Sequence, residues 1–518
     1  MLAKSQHRWR DAAARPQWLY PRAGALAGLL LSVTVAILGE RAINPRVFDP
    51  GAYYWLAENM WELMFQRGFI PVYNDRWIPS FAARIAVTLA GQPAATGPLT
   101  VYFELQNIAV FAAAGWLWGK IAASLNLSLK GLWIGFILLF VNFFGLKYLN
   151  WLLALTDGPC FLFSLGLLWA FLNNRLGWLV LFGTLGSFTF PGFNMMTAAL
   201  IAFPRRPILP ISGETQTVWS WYGRQSLIAK SNLVLATLAA IAIIALDTWI
   251  VVHIGLKVED GFLDSSMAQL AWLSITIAAG YIFFATLYLG DGQWWTQLWT
   301  PPRVRVLLAI GFLVAQNLIR IWLTRTGDYN QIEKALCDPC DQTMWHAPVL
   351  FIRGIQRPAE FLVAQMVYWG LAIPLLLGYW PEVASRIREQ GLGFILVVAL
   401  GVLLGFDKVA RHSTQVYPFL VVLLALTLDQ RRPATWMIWL LATLNVAMSH
   451  VWYPMNRPGV RAGDAWQQAD TEQALAGAVL GHPWWTDGRL YFALLGVLAA
   501  LVLVCWLMTV RRRASRST

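Results

Sequence analysis

Long apolar runs separated by short polar stretches recur from residue 23 to residue 509. A helix needs about 20 apolar residues to cross ~30 Å of hydrocarbon, and backbone groups inside lipid must be satisfied within each segment. The pattern therefore predicts an all-α polytopic membrane protein with roughly 12–14 spanning helices. The predicted spans are 23–39, 101–119, 131–149, 158–173, 177–190, 191–203, 229–254, 267–290, 305–322, 361–380, 392–406, 413–428, 433–452 and 489–509.

Two regions depart from simple spans. The pair 177–190 and 191–203 is short, and "FTFPGFN" at 188–194 indicates a break inside one hairpin that folds back on itself. The polar stretch 40–100 contains two patterns, about 50–66 and 77–90, that predict helices lying on the membrane surface.

Composition supports a membrane protein, because 58% hydrophobic and 13% charged residues exclude a soluble globule. The segments predicted on the side of both termini contain 22 Lys and Arg residues and 6 Asp and Glu residues. The segments on the other side contain 17 Lys and Arg and 20 Asp and Glu, and the remaining acidic residue, Asp247, lies within a predicted span. Basic residues accumulate on the cytoplasmic side of short loops. We therefore expect cytoplasmic termini, and the net charge of +12 needs no nucleic-acid partner.

No repeat or soluble domain interrupts the spans, so we expect one membrane domain over residues 1–518. The loops 40–100, 323–360 and 453–488 are predicted outside the cytoplasm. The first apolar run ends without a small-x-small cleavage site, which favours a retained anchor over a signal peptide.

Ionisable residues close to span ends cluster in three outer segments. Placing such residues at the edge of the lipid costs free energy, so they are usually paired with other charges or take part in function. The first is the loop 40–100, the second is "LTDGPCFLF" at 155–163, and the third is "GFDKVARHSTQVYPF" at 405–419. Their ionisable and tyrosine residues are Asp49, Tyr53, Tyr54, Glu58, Asp75, Arg76, Arg84, Asp157, Asp407, Lys408, Arg411, His412 and Tyr417.

Each segment also has a purely structural interpretation. Asp49 before Pro50 is typical of a helix N-cap followed by proline at the first helical position. Asp157 is placed to cap a span in the same way, and the residues 407–412 suit a solvated turn. Taken singly, each segment favours the structural role; taken together, two carboxylates and a basic cluster on the same side indicate a site.

In their order along the chain and in their residues, these three segments resemble motifs of the integral-membrane glycosyltransferases of the C fold. The resemblance is to the branch of protein O-mannosyltransferases and lipid A aminoarabinose transferases in particular. "FDPGAYYWLAENM" resembles the acidic motif of that branch's first outer loop, "LTDGPCFLF" its second aspartate, and "ARHSTQVYPFLVVLLAL" its late basic stretch. The first motif in that family is usually Asp-Glu, whereas Pro50 follows Asp49 here. "NDRWIPS" replaces the family's lysine and double proline.

The resemblance implies transfer of a sugar from a polyprenyl-phosphate donor to a lipid, glycan or protein acceptor on the periplasmic face of a bacterial inner membrane. Asp49 is then the candidate general base, and Asp157 orients the acceptor or positions a cation. Arg411 grips the leaving phosphate, with Lys408 and His412 beside it. Tyr53, Arg76 and Tyr417 complete the expected substrate-binding set. No spacing is diagnostic of a metal, so we expect no cofactor and leave a divalent cation open.

Cysteine spacing adds one further expectation. Cys337 and Cys340 have the spacing of redox and zinc sites, but a single pair on an oxidising face favours a local disulfide. Cys160 and Cys505 fall within predicted spans and are expected to be packing residues.

Three other functions remain open at this stage. A transporter or flippase also has many spans and a basic pocket, although it usually carries midplane ionisable residues and repeated halves. A polysaccharide polymerase or ligase would rely on arginines in outer loops, such as Arg353 and Arg357. A non-catalytic assembly factor would leave the three segments apart.

Overall fold

A computed structural model describes residues 17–39, 41, 49–69, 73–205, 227–249, 271–290, 298, 302–324, 359–406, 410–449 and 489–517. Its regular elements in these ranges are helical. In chain order they are α1 (Leu19–Leu38), α2 (Asp49–Glu62), α3 (Ile78–Leu89), α4 (Thr96–Ser124), α5 (Leu129–Phe140), α6 (Phe144–Trp151), α7 (Asp157–Leu172), α8 (Leu176–Ser187), α9 (Phe193–Ala202), α10 (Leu227–Trp249), α11 (Ala271–Leu289), α12 (Arg303–Leu323), α13 (Glu360–Trp369), α14 (Ala372–Gly378), α15 (Trp380–Gln390), α16 (Leu392–Leu404), α17 (Tyr417–Gln430), α18 (Thr435–Met448) and α19 (Arg489–Ser517).

The prediction of an all-α, multi-pass membrane protein is confirmed. Each predicted span coincides with a helix or with a pair of consecutive helices, and the two surface helices of the first loop correspond to α2 and α3. By length and composition, four described helices can cross a membrane alone, and a fifth span forms if α5 and α6 count together. The other apolar helices are shorter, for example the 12 residues of α8 and the 10 of α9 on either side of the predicted hairpin break.

Two predicted spans are broken in the middle. α5 and α6 meet at a bend of 59°. Asn142 stabilises this bend, because its amide donates to the Leu138 carbonyl at 3.0 Å and its side-chain oxygen accepts the Gly145 N–H at 3.0 Å. A side chain that replaces backbone hydrogen bonds in this way is a common cause of sharp kinks.

The second break separates α13 from α14 at Gly370, whose φ of +66° favours glycine. Asn445 on α18 accepts the Leu371 N–H at 2.8 Å and so satisfies the interrupted backbone. The two breaks are neighbours, since a Cβ added to Gly370 would lie 2.2 Å from the Asn445 side-chain oxygen and 3.8 Å from the Asn142 Cβ.

Small residues allow α1 and α4 to pack backbone to backbone. A Cβ added to Gly115 would lie 2.1 Å from the Gly24 carbonyl oxygen, so neither position accepts a larger side chain without movement. Inside lipid the hydrophobic effect does not favour helix association, so helices there associate through close packing of this kind. Every fourth residue of α1 is buried: Tyr20, Gly24, Gly28, Ser32 and Ala36.

Hydrogen bonds between neighbouring helix ends show which of the described turns lie at the same end of the bundle. At the end we call the basic end, the Ser128 N–H donates to Asp429 at 2.8 Å, and the Lys130 ammonium donates to the Pro433 carbonyl at 2.9 Å. At the other, which we call the site end, the Ile78 N–H donates to the Phe188 carbonyl at 3.2 Å. This sorting follows the alternation predicted from the basic residues.

Candidate functional site

The first predicted segment folds as two helices that cross at the site end. Asp49 begins α2, and its side chain lies outside the described part of the chain. Tyr53 is buried; its carbonyl accepts the Ser80 hydroxyl at 3.0 Å, and its own hydroxyl lies 3.5 Å from the Arg76 guanidinium that donates to it. Arg84 donates to the Glu58 carbonyl at 3.0 Å. The segment thus holds Tyr53 and Arg76 together.

The second predicted segment places Asp157 in the first turn of α7. This residue is 1% exposed, and Thr156 precedes it at the N-terminus of the helix. Asn107 on α4 stabilises the preceding turn, since its amide donates to the carbonyls of Leu149 at 3.1 Å and Leu153 at 3.0 Å. A carboxylate at a helix N-terminus is stabilised by the helix dipole, so burial at this position is compatible with its charge.

The third predicted segment forms a short 3₁₀ turn, Ala410–Ser413, before α17. Arg411 is partly exposed and donates to the Tyr148 hydroxyl of α6 at 3.4 Å. The His412 ring lies 6.4 Å from the Phe190 ring, between centroids. Lys408 and Asp407 lie outside the described residues.

Tyr417 is held inside the helix packing. Its ring stacks on Trp369 at 3.7 Å between centroids, and its hydroxyl donates to the Leu138 carbonyl at 2.7 Å. Both partners belong to the two broken spans. Tyr417 therefore links the breaks, and any contact of this hydroxyl with a substrate would compete with that bond.

The structure brings the second and third segments together. Arg411 contacts Tyr148 on α6, which leads directly into the turn before Asp157, and the Ser164 hydroxyl of α7 donates to the Gln415 carbonyl at 2.6 Å. The first segment approaches through the α8–α9 turn. Phe188 of that turn contacts Trp77, with ring centroids 5.8 Å apart, while Phe190 two residues later contacts His412.

A charged cluster at this end was not predicted. The Asp75 carboxylate lies 3.9 Å from the Arg76 Nε and 4.0 Å from the Arg320 Nη2 of α12. Burial raises the pKa of Asp75 above its ordinary 3.8, and the two guanidiniums oppose that rise. Arg320 carries the one sequence signal that could have found the cluster: it is a charged residue within the predicted span 305–322.

An apolar groove runs along the bundle from the site end toward the basic end, between α11, α13, α14, α16 and α17. It has about 710 Å³ of space, including the part open to the surroundings. Gln365 and Ser413 supply polar groups at its site end, where the Trp369 indole donates to the Ser413 hydroxyl at 2.8 Å. Ser413 belongs to the same 3₁₀ turn as Arg411, so the groove reaches the turn that carries this arginine.

Candidate metal ligands and cysteines can be compared with the sequence only within the described ranges. No group of three His, Cys, Asp or Glu residues there is arranged to hold a metal ion. Cys337 and Cys340 lie outside those ranges, so their predicted disulfide stays a prediction. Cys160 and Cys505 are buried free thiols.

Fold and site together define a multi-pass, all-α membrane protein with a polar site at one end of its helices. No family model matches the chain, and no curated protein matches its sequence. One solved structure to which it is similar is the archaeal oligosaccharyltransferase AglB from Archaeoglobus fulgidus, in complex with an inhibitory peptide and a dolichol-phosphate. The identity is 12% and the TM-score 0.41, and the match covers 84% of this chain and 56% of that chain. The chain thus spans little more than half the length of that enzyme, and this degree of likeness does not establish a shared activity.

Proposed function

We propose that the protein is a membrane glycosyltransferase that takes a sugar from a polyprenyl-phosphate donor and moves it to a lipid, glycan or protein acceptor. The observation that carries this proposal is the apolar groove that reaches Ser413, in the same 3₁₀ turn as Arg411. A groove lined by apolar side chains suits a polyprenyl chain, and a guanidinium at its polar end suits the phosphate on that chain.

The reaction would be an inverting displacement at the anomeric carbon. The oxygen of an acceptor hydroxyl forms a new bond to that carbon, and the bond from the carbon to the phosphate oxygen breaks. The electron pair of the broken bond leaves with the polyprenyl phosphate, while the hydroxyl proton passes to a carboxylate. We assign Asp49 as that general base and Asp157 as the residue that orients the acceptor.

Arg411 would stabilise the phosphate oxygens as negative charge grows on the leaving group. The guanidinium donates to the Tyr148 hydroxyl, which lies just before the turn that leads to Asp157, and His412 lies in the same 3₁₀ turn as Arg411. Lys408, two residues before the described turn, would add a second cation to that of Arg411. In this arrangement donor phosphate and acceptor meet between the 3₁₀ turn and the start of α7.

For the membrane orientation, we propose a bacterial inner membrane with the basic end in the cytoplasm and the site end in the periplasm. The excess of Lys and Arg at the basic end supports this orientation. Reaction at the periplasmic face would draw the donor sideways from the outer leaflet into the groove.

A flippase or transporter is a second candidate, favoured by one observation. Two spans are broken at adjacent positions, Asn142 and Gly370, and interrupted helices often form the binding sites of transporters. Such a protein would move a polyprenyl-linked sugar between leaflets without breaking its glycosidic bond.

The deciding experiment uses the purified full-length protein in nanodiscs with a polyprenyl-phosphate donor that carries a radiolabelled sugar. Release of unsugared polyprenyl phosphate, dependent on Arg411 and Asp157, supports the transferase. Vesicles reconstituted with the same protein report movement of the intact donor between leaflets. Movement without cleavage, retained in the Asp157→Asn variant, would replace the transferase by the transporter.

A further inference from the structure

A second group of cations lies at the site end, across the α8–α9 turn from Arg411. Arg76 comes from the first loop and Arg320 from the last turn of α12, and Asp75 lies between them. Separations of 3.9 Å and 4.0 Å are ion-pair distances but too long for hydrogen bonds. At these distances Asp75 interacts with both guanidiniums through charge and accepts a hydrogen bond from neither of them.

Two buried donors beside this cluster have no hydrogen-bond partner among the described residues: the Arg320 Nε and the Trp77 indole N–H. Both side chains adjoin the same short backbone stretch. The Arg320 Nη2 donates to the Ser187 carbonyl at 3.1 Å, and the Trp77 ring contacts that of Phe188. A buried donor without an acceptor costs about 1–3 kcal/mol, so two in one place indicate an acceptor group that binds there.

A purely mechanical role does not account for these charges. Neutral bonds already attach α12 to the first loop, since the Phe69 N–H donates to the Leu323 carbonyl at 2.7 Å and the Asn74 amide donates to the Thr324 hydroxyl at 2.9 Å. Two guanidiniums and a partly desolvated carboxylate add a desolvation cost to that attachment. An anion that accepts from the spare donors would offset the cost.

We infer that Arg76, Arg320 and the Trp77 indole form a second anion-binding site, separate from the one proposed at Arg411, and that it takes a phosphate group. A phosphate presents several acceptor oxygens to donors that approach from different directions, and arginine binds it bidentately. The group belongs either to a membrane phospholipid headgroup or to a soluble phosphate. The inference concerns binding and holds whether or not the protein is a transferase.

The test measures thermal unfolding of the full-length protein in maltoside micelles, which contain no phosphate. Inorganic phosphate is titrated at constant ionic strength with chloride, and a lipid arm adds phosphatidic acid against diacylglycerol as the neutral control. A ligand that binds the native state raises the unfolding midpoint with concentration, which gives an apparent Kd. Whichever probe stabilises the protein identifies the source of the phosphate.

Arg320→Gln should raise that Kd about tenfold or more, as expected for loss of a charge-assisted hydrogen bond. Trp77→Phe keeps the ring and removes only the indole donor, so it should raise the Kd a few-fold. If Arg320→Gln does not fold, the Kd of the Trp77→Phe variant alone tests the second anion site. The matched controls Arg67→Gln and Trp61→Phe lie in the same segment, outside the cluster, and should bind as the wild type does.

The Arg411→Gln variant separates this inference from the proposed function. If it alone abolishes every response to phosphate and phosphatidic acid, there is one anion site and the inference is wrong. If it changes nothing while Arg320→Gln removes the response, the second site stands and the proposed donor site loses its support. Wild-type affinity in both Arg320→Gln and Trp77→Phe, or no response in the wild type, also overturns the inference.

Discussion

The guanidinium of Arg411 donates to the hydroxyl of Tyr148 at 3.4 Å, across 263 positions of sequence. This bond joins the 3₁₀ turn before α17 to the bent span that leads into Asp157. It also holds a cation in the same 3₁₀ turn as Ser413, the residue at the polar end of the groove.

The first prediction concerns this pair. Arg411→Lys keeps the charge but loses the planar fork that binds phosphate bidentately, so kcat/KM for the donor should fall about 10- to 100-fold. Tyr148→Phe removes one long hydrogen bond from the charged guanidinium and should cost about 2- to 10-fold. Steady-state kinetics with a labelled donor measures both.

A double-mutant cycle is the control for that prediction. If Tyr148 acts by orienting Arg411, then Tyr148→Phe should have no further effect in the Arg411→Gln background. Additive losses would mean that Tyr148 contributes independently of Arg411.

The second prediction concerns pH. Because burial raises the folded-state pKa of Asp75 above 3.8, the folded protein holds this proton more tightly than the unfolded chain does. The resulting stability is fully present below pH 3.8 and is lost as the pH rises through the folded-state pKa. Among the described residues, the guanidiniums of Arg76 and Arg320 are the charged groups that face this carboxylate.

Asp75→Asn removes this titration, so the unfolding midpoint of the wild type minus that of the variant should decrease between about pH 4 and neutrality. Thermal unfolding at several pH values measures the difference and cancels titrations common to both proteins. A difference that grows with pH would show that the guanidiniums outweigh burial at Asp75.

The helices were predictable because hydropathy alone determines which segments cross lipid. The runs 158–173 and 392–406 are continuous and apolar, and they became α7 and α16 almost unchanged. The breaks at Asn142 and Gly370 were not predicted, because a single polar residue or glycine scarcely changes the mean hydropathy of a span. Each break depends on neighbouring side chains in the folded protein, such as Asn445 beside Gly370.

The site was predictable only in part, since proximity depends on packing that the sequence does not display. Arg411 and Asp157 were predicted from ionisable residues at span ends. Tyr148 and Arg320 were missed, because each lies inside an apolar run and was counted as part of a span. The roles of Asp49, Asp157, Lys408 and Arg411 all stay predictions, and the structure does not describe the side chains of Asp49 and Lys408.

The third prediction tests the packing of α1 on α4. Gly115→Ala places a methyl group 2.1 Å from the Gly24 carbonyl and should destabilise the protein by about 1–3 kcal/mol, the usual cost of overpacking. Gly280→Ala on α11 is the matched control, since nothing lies within 4 Å of the added Cβ. It should be neutral or stabilising by up to about 1 kcal/mol. Equal effects in denaturant titrations would contradict the close contact.

The fourth prediction tests the groove. Ala285 is buried in its wall, so Ala285→Phe narrows it without touching Arg411. Displacing two methylene groups of a lipid chain costs about 1.6 kcal/mol, roughly 15-fold in affinity. KM for a long-chain donor should rise by about that factor, and KM for a donor of one or two isoprene units should change little.

Ala242→Phe on the exposed face of α10 is the control for the groove variant and should leave both donors unaffected. If Ala285→Phe affects short and long donors equally, the chain does not lie in this groove.

The last prediction asks whether the two aspartates at helix starts do chemistry or only cap helices. Asp49 begins α2 and Asp157 begins α7. At the start of α2, asparagine caps a helix about as well as aspartate, whereas alanine costs about 1 kcal/mol. In α7 the N-cap is Thr156 and not Asp157 as predicted, so there asparagine only has to match the size and polarity of the aspartate. Both Asp→Asn substitutions therefore preserve folding and remove the proton acceptor. Glu62→Gln removes an exposed carboxylate at the other end of α2 and serves as the control.

Asp49→Asn should lower turnover by about 10²–10⁴, the usual contribution of a general base, with donor binding unchanged. Asp157→Asn should chiefly raise KM for the acceptor, because an orienting residue acts on the bound acceptor in both ground and transition states. Transfer from a labelled polyprenyl-phosphate donor in nanodiscs, at varied acceptor concentration, separates the two effects. Near-normal turnover in Asp49→Asn would leave that residue as a helix cap, and the general base would then have to be sought at Asp157.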